Sequence, residues 1–157
     1  MPMQLAGGCC CGAVRFTVAS HTPAPYQLCY CSICRKTAGG GGYAINLGAA
    51  ARTLHRHGHT AVLHAEIDGQ RSNAERHFYL HCGSAMWLYD SRWPDLVHPF
   101  ASAIDTPLPV PPSRVHIMLG SKPDWVEPQI GPRDLTFDSY PDQSIADWHR
   151  THGLWID

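Results

Sequence analysis

The stretch CYCSIC at residues 29–34 places three thiols, Cys29, Cys31 and Cys34, within six residues. Cys31 and Cys34 stand at the C-x-x-C spacing of a metal knuckle, and Cys29, two residues ahead, reaches the same ion if the chain turns. Three thiolates leave one position of a tetrahedral zinc open. A structural zinc is closed by four protein ligands, whereas a catalytic zinc keeps a place for water or substrate. The local count therefore favours an open site, unless a distant residue fills it. Other thiol chemistries fit less well. The spacing matches neither common ferredoxin run, and the βαβ setting of a thioredoxin-like redox pair is missing.

The seven cysteines among 157 residues fall as Cys9, Cys10 and Cys11, then Cys29, Cys31 and Cys34, then Cys82. A chain of this length buries about 70% of its unfolded surface and needs no disulfide scaffold. The opening MPMQLAGG lacks the basic and apolar regions of a leader, and no apolar run approaches the ~18 residues of a membrane span. A cytoplasmic protein with no membrane partner is expected. There thiols stay reduced, so clustered cysteines point to metal rather than to bridges. A net charge of −1 with 16% charged residues offers no basic footprint, and no nucleic-acid partner is expected.

The elements that must hold these thiols read as short strands. Thirteen prolines and fourteen glycines, scattered along the chain, cut it into brief segments. In Ala13–Ala19, Val14, Phe16 and Val18 share one face while Arg15 and Thr17 share the other. Similar alternation predicts strands at Tyr43–Leu47, Ala61–Ile67, His77–Cys82, Ala85–Tyr89 and Val115–Leu119. The tract Ala103–Ser113 carries four prolines and reads as a connecting arm. One helix is predicted. Ser144 caps it, Asp147 takes the capping-box position, Ile145, Trp148 and His152 recur at helical spacing, and Gly153 closes it. The expectation is a single mainly β domain over residues 1–157, with a core over 5–126 and a C-terminal extension bearing a short helix near 144–152.

A second cysteine group, GGCCCG at 7–12, sets Cys9 and Cys11 as C-x-C with Gly12 placed for a tight turn. Its natural partner is FYLHCGS at 78–84. The order GGCxCGAVRF, then CxCxxCRK, then a cysteine followed by G-S, then VHIMLGSKPDW, resembles the glutathione-dependent formaldehyde-activating enzyme family, whose domain is also found in centromere protein V. The resemblance runs from Gly7 to Trp125, and the ending YPDQSIADWHRTHGLW is similar to that of some members. It implies several curled antiparallel β-sheets around zinc knuckles, related to methionine sulfoxide reductase B and to a Rab-GTPase exchange chaperone. It also implies two zinc ions. The catalytic ion carries over onto Cys29, Cys31 and Cys34. The structural ion carries over onto Cys9, Cys11 and Cys82 only, because the remaining cysteine of the later C-x-x-C falls at position 79, where this chain has Tyr79. Tyrosine, with a reference pKa of ~10, is a poor zinc ligand near neutral pH. This second site is expected to be degenerate: either empty, with the C-x-C hairpin held by packing around Cys82, or completed by His81 or Cys10. In an extended strand, His81 and Cys82 would point to opposite faces.

A zinc bound by three thiolates carries a formal charge of about −1, suits a thiol as its fourth ligand, and deprotonates that thiol at neutral pH. A thiolate so prepared adds to the carbonyl carbon of a small aldehyde, giving a hemithioacetal without a redox cofactor. The resemblance implies glutathione and formaldehyde as the pair, S-(hydroxymethyl)glutathione as the product, and a carbon–sulfur lyase as the class. With its zinc closed by a fourth protein ligand, the same fold would instead be a module for binding a protein partner. Arg35 and Lys36 follow the ligands and could meet a carboxylate of the thiol substrate, or stand as a solvated pair. Gly39–Gly42 permit close approach of backbone to a ligand, or form a loop. Trp87, Trp93 and Trp125 read as core or pocket wall. His55, His57 and His59 would line one strand face, yet beside Arg52 and Arg56 they read as a solvated edge, while His77 and His81 flank Tyr79 next to a metal block.

Overall fold

The computed structural model describes residues 1–157. Its first hairpin follows from alternation. β1 (Met3–Gly8) and β2 (Arg15–Ser20) pair antiparallel from Met3 against Ser20 to Gly8 against Arg15, turning Leu5, Phe16 and Val18 inward. Gly7 is required there, since a Cβ would stand 2.1 Å from the Ala103 carbonyl oxygen. The chain continues through β3 (Gln27–Cys29), α1 (Ser32–Ala38), β4 (Ala44–Ile45), β5 (Ala49–Ala50), β6 (His55–His57), β7 (Ala61–Leu63), β8 (Glu66–Ile67) and β9 (Gln70–Arg71). It closes with β10 (Glu75–Phe78), β11 (Ala85–Tyr89), β12 (Leu96–Pro99), β13 (Val115–Ile117), β14 (Leu135–Thr136) and α2 (Ile145–Thr151).

These strands form sheets in the orders β1-β2-β6, β5-β12-β11-β10-β7 and β14-β13-β3-β4, with β8 and β9 as a separate pair. The fold is mainly β, built of several antiparallel sheets with a short C-terminal helix, as the sequence led us to expect. The third sheet is mixed rather than purely antiparallel: β13 runs parallel to both β3 and β14. Parallel neighbours need a crossover, and the proline-rich arm after β12 forms part of the connection into β13. No helix is long and apolar enough to cross a membrane.

Several elements differ from the alternation pattern. Ala61–Ile67 divides into β7 and β8, and Tyr43–Leu47 keeps only Ala44–Ile45 as strand. The expected strand His77–Cys82 stops at Phe78, after a register shift between His77 and Phe78. Residues 79–84 then form a turn closed by the Gly83 N–H on the Tyr79 carbonyl at 2.7 Å, with Gly83 at φ +76°. The opposite-face expectation for His81 and Cys82 is thereby corrected, because it needs an extended strand. Neither β1 nor α1 was expected.

Two main cores pack against these sheets, with a smaller cluster of Leu28, Tyr30 and Val126 beside them. Leu5, Val14, Phe16, Val18, Leu47, Trp87 and Val97 form one, and Tyr26, Cys29, Cys34, Val115, Ile117 and Trp148 form the other. Helix α2 seals the second. Its Ser144 hydroxyl accepts the Asp147 N–H at 3.1 Å, and Gly153 follows at φ +67°. Trp148 stacks on Tyr26 with centroids 3.7 Å apart, worth about 1 kcal/mol beyond the area buried. The wholly buried His149 donates from Nδ1 to the Ile145 carbonyl at 2.8 Å and accepts the Ala24 N–H at Nε2 at 3.0 Å.

Candidate metal centre

A strand–helix junction builds the first thiol set. β3 ends at Cys29, and Cys31 serves as the N-cap of α1, at φ −64° and ψ 154°, with its sulfur accepting the Cys34 N–H at 3.3 Å. Cys34 then enters the core from the first turn of α1. Ile117 of β13 pairs with Cys29, and the Ile117 carbonyl takes the Tyr30 N–H at 3.1 Å. The Tyr30 hydroxyl bonds His116 Nδ1 at 2.9 Å, and His116 Nε2 meets Asp134 Oδ2 at 3.0 Å, which pins the residue between two of the thiols. The sulfurs of Cys29, Cys31 and Cys34 lie within 4.8 Å of one another. Zinc–sulfur bonds of ~2.3 Å in a tetrahedron set sulfurs about 3.8 Å apart, so this set fits such an ion with side-chain adjustment alone.

These thiols titrate together. Hydrogen bonds from the Cys29 and Cys34 thiols, helped by the Cys34 N–H, favour the Cys31 thiolate and push its pKa down. Contacts with Cys31 and Cys34, together with burial, push the Cys29 thiol up. A cation stands beside them. From β10, Arg76 places Nη2 3.7 Å from Cys34 Sγ and donates from Nη1 to Thr37 Oγ1 at 3.4 Å. Sequence reasoning missed Arg76. It lies one residue ahead of the strand expected at His77, and alternation does not separate an arginine aimed at sulfur from a solvated one.

The second set comes from two turns. Cys9 and Cys11 sit in the β1–β2 connection, where Gly12 adopts φ +80°, and Cys82 sits in the 79–84 turn. Their sulfurs also lie within 4.8 Å of one another, with Cys9 and Cys11 3.6 Å apart. The Val14 N–H donates to Cys9 Sγ at 3.2 Å. The Ser84 hydroxyl, 3.3 Å from Cys82 Sγ, and then the Ser84 N–H push the Cys82 thiol down to about 6. Tyr79 packs against the first core with its ring 5.4 Å from that of His81, and His81 does not join the set. Cys10 is exposed and outside it, its backbone N–H bonded to Ser84 Oγ at 3.0 Å.

The other expected residues scatter. Arg35 is half-buried with its Nε unpartnered, Lys36 is exposed, and neither forms an ion pair. His55, His57 and His59 are exposed, the first two on the edge strand β6. Trp87 is buried, and Trp125 is exposed. A cleft of about 1180 Å³ is lined by His77, Trp87, Tyr89, Trp93 and Trp155 and contains none of the cysteines. His77 and Arg76 are neighbours on β10 and point to opposite faces, so the cleft and the first thiol set lie on opposite sides of that strand.

Comparison with known proteins adds three findings. The model of the family described as glutathione-dependent formaldehyde-activating enzyme matches residues 4–121. A protein of Halomonas elongata, provisionally named glutathione-dependent formaldehyde-activating enzyme, is 62% identical over 154 residues, spanning 97% of this chain and 98% of the relative. A crystal structure of a Rhodobacter sphaeroides protein shares the fold at a TM-score of 0.50 and 19% identity, covering 84% of this chain and 98% of that one.

Proposed function

Because the chain belongs to the glutathione-dependent formaldehyde-activating enzyme family, we propose that it joins glutathione to formaldehyde at a zinc held by Cys29, Cys31 and Cys34, as a carbon–sulfur lyase of that type. The observation that carries this reading is a count. Three thiols converge and the set closes at three, which leaves a tetrahedral ion one place for substrate. When bound, zinc supplies the Lewis acidity that lets a thiol release its proton near neutral pH.

The chain's own residues hold that place ready. The Cys34 N–H restrains the Cys31 sulfur, the Tyr30–His116–Asp134 chain fixes the spacing of Cys29 and Cys31, and Arg76 offsets the negative charge of the sulfurs. In the reaction the glutathione sulfur forms one bond to the carbonyl carbon, the π pair moves to oxygen, and oxygen takes up the proton the thiol gave away. The product is S-(hydroxymethyl)glutathione, with no electron gained or lost. Cys9, Cys11 and Cys82 would hold a second ion, short of the cysteine that Tyr79 replaces. Seven free thiols suit a reducing compartment such as the cytoplasm.

Purified under reducing conditions with zinc supplied, the protein should carry metal in native mass spectra. It should also speed the exchange of free and hydroxymethylated glutathione beyond the spontaneous rate, read by exchange NMR. Cys29→Ala should lose both properties. A zinc-free wild type would overturn the reading, and a zinc-loaded wild type without acceleration would favour a closed, protein-binding module.

A further inference from the structure

Arg76 has donors to spare. A guanidinium offers five N–H donors, and here one on Nη2 faces Cys34 Sγ while one on Nη1 faces Thr37 Oγ1. Three remain, Nε–H among them. Thr37 is itself tied by its hydroxyl to the Ile33 carbonyl at 2.6 Å, so the arginine is anchored to α1 at two points. No carboxylate answers its charge. Contacts of carboxylates with basic or imidazole groups join Glu75 to His77, Asp90 to Arg92, Asp134 to His116 and Asp147 to Arg150, and none of them involves Arg76. Glu75 and His77 flank Arg76 in sequence and therefore point to the other face of β10. Arg35, directly after Cys34, adds a second buried donor, its Nε, with no partner. An unmatched, half-buried guanidinium beside three thiols is a group a ligand can satisfy.

We propose that Arg76 is a positioning and specificity residue for the Cys29–Cys31–Cys34 centre, selecting thiols that bear a carboxylate. One edge of the guanidinium keeps hold of Cys34 Sγ and Thr37, and the free edge docks the carboxylate. A carboxylate brings another negative charge toward sulfurs that are already negative, which is unfavourable unless a cation stands there, and Arg76 supplies it. The inference rests on the proposed thiol site and deepens it by naming the class of thiol.

The test uses the full chain loaded with cobalt(II), whose thiolate charge-transfer band reads the fourth position. The probes are 3-mercaptopropionate and its neutral near-isostere 3-mercaptopropionamide. Wild type should bind the acid about tenfold more tightly than the amide, the scale of one charge-assisted hydrogen bond. Arg76→Gln removes a charge that offsets the sulfurs and should weaken both thiols, but it should weaken the acid more and bring the ratio close to one. Arg76→Lys should keep part of the preference, since it retains the charge without the fork. A band that responds equally to both thiols in wild type, or an undiminished ratio in Arg76→Gln, overturns the proposal. If Arg76→Gln fails to hold cobalt, Arg76→Lys decides, and a wild-type ratio there overturns it too. A wild-type band that responds to neither thiol removes the thiol site itself, and the role of Arg76 with it.

Discussion

The two cysteine sets each hold three sulfurs within 4.8 Å of one another and differ in almost everything around them. Cys29, Cys31 and Cys34 stand where a strand meets a helix, two of them buried, with a parallel neighbour strand behind and a guanidinium alongside. Cys9, Cys11 and Cys82 hang from two turns that depend on glycines at positive φ, and Cys11 is exposed. Ligand count therefore does not assign a role. On the proposed reading the framed set, with a cation at hand, would present an open corner to a substrate, and the turn-borne set would staple the β1–β2 hairpin to the β10–β11 hairpin.

Removing one thiol from each set should break that comparison most severely. Cys31→Ser keeps a good N-cap for α1 while deleting a thiolate, so the fold should survive, one ion should vanish from native mass spectra, and thiol binding should go with it. Cys82→Ser should lose the other ion and leave thiol binding intact. If both variants abolish thiol binding, the division of labour is wrong.

Restoring the missing ligand tests it from the other side. Tyr79→Cys should make the second ion markedly more resistant to a chelator, measured by competition with a chromophoric dye. The metal-free variant should be about 1–2 kcal/mol less stable, because the Tyr79 ring packs on the first core. No gain in chelator resistance would mean that turn geometry, rather than ligand count, limits this site.

The sequence legibly carried the first thiol set because ligands two and three residues apart are brought together by a single turn. It also carried α2, whose cap and closing glycine are local. The FYLHCGS segment reads from the sequence as the partner of the GGCCCG group, but Cys82 becomes a ligand of the same ion through the family resemblance. Helix α1 was hidden because its seven residues bury only Cys34 and show no apolar stripe. The parallel pairing of β13 with β3, and the approach of Arg76 to Cys34 across 42 residues, are set by sheet order, which local alternation does not encode. The strand expected through Cys82 failed at a register shift and a positive-φ glycine, two backbone events that side-chain periodicity does not report.

Glycine replacements should separate the frame from the turns by a smaller margin. At Gly39, the C-cap of α1, a Cβ would stand 2.1 Å from the Tyr43 carbonyl oxygen, and backbone cannot step aside cheaply. Gly39→Ala should cost about 3 kcal/mol, the upper end for overpacking, and weaken metal at the first set. At Gly83 a Cβ meets nothing within 4 Å, so only the φ of +76° opposes it. Gly83→Ala should cost about 1 kcal/mol. Urea unfolding of the two variants reads the difference, and equal losses would deny the first set its tighter frame.

Mild acid should give the smallest and most local difference. Burial pushes the His149 pKa down, and its Nε2 lone pair is engaged by the Ala24 N–H. A histidine lowered in the folded state contributes stability that is present above its unfolded value of ~6.5 and is lost as pH falls toward and through the folded one, because the unfolded chain binds the proton more readily. Helix α2 covers the core that contains Cys29 and Cys34 and does not touch the turn-borne set. Between pH 7.5 and 5.5 the Ala24 amide should thus lose hydrogen-exchange protection, corrected for intrinsic rate, while the Val14 amide, bonded to Cys9 Sγ, should lose less. His149→Gln should flatten the Ala24 response. Parallel loss at both amides would show that acid reaches the two sets through a shared global unfolding rather than through the helix behind one of them.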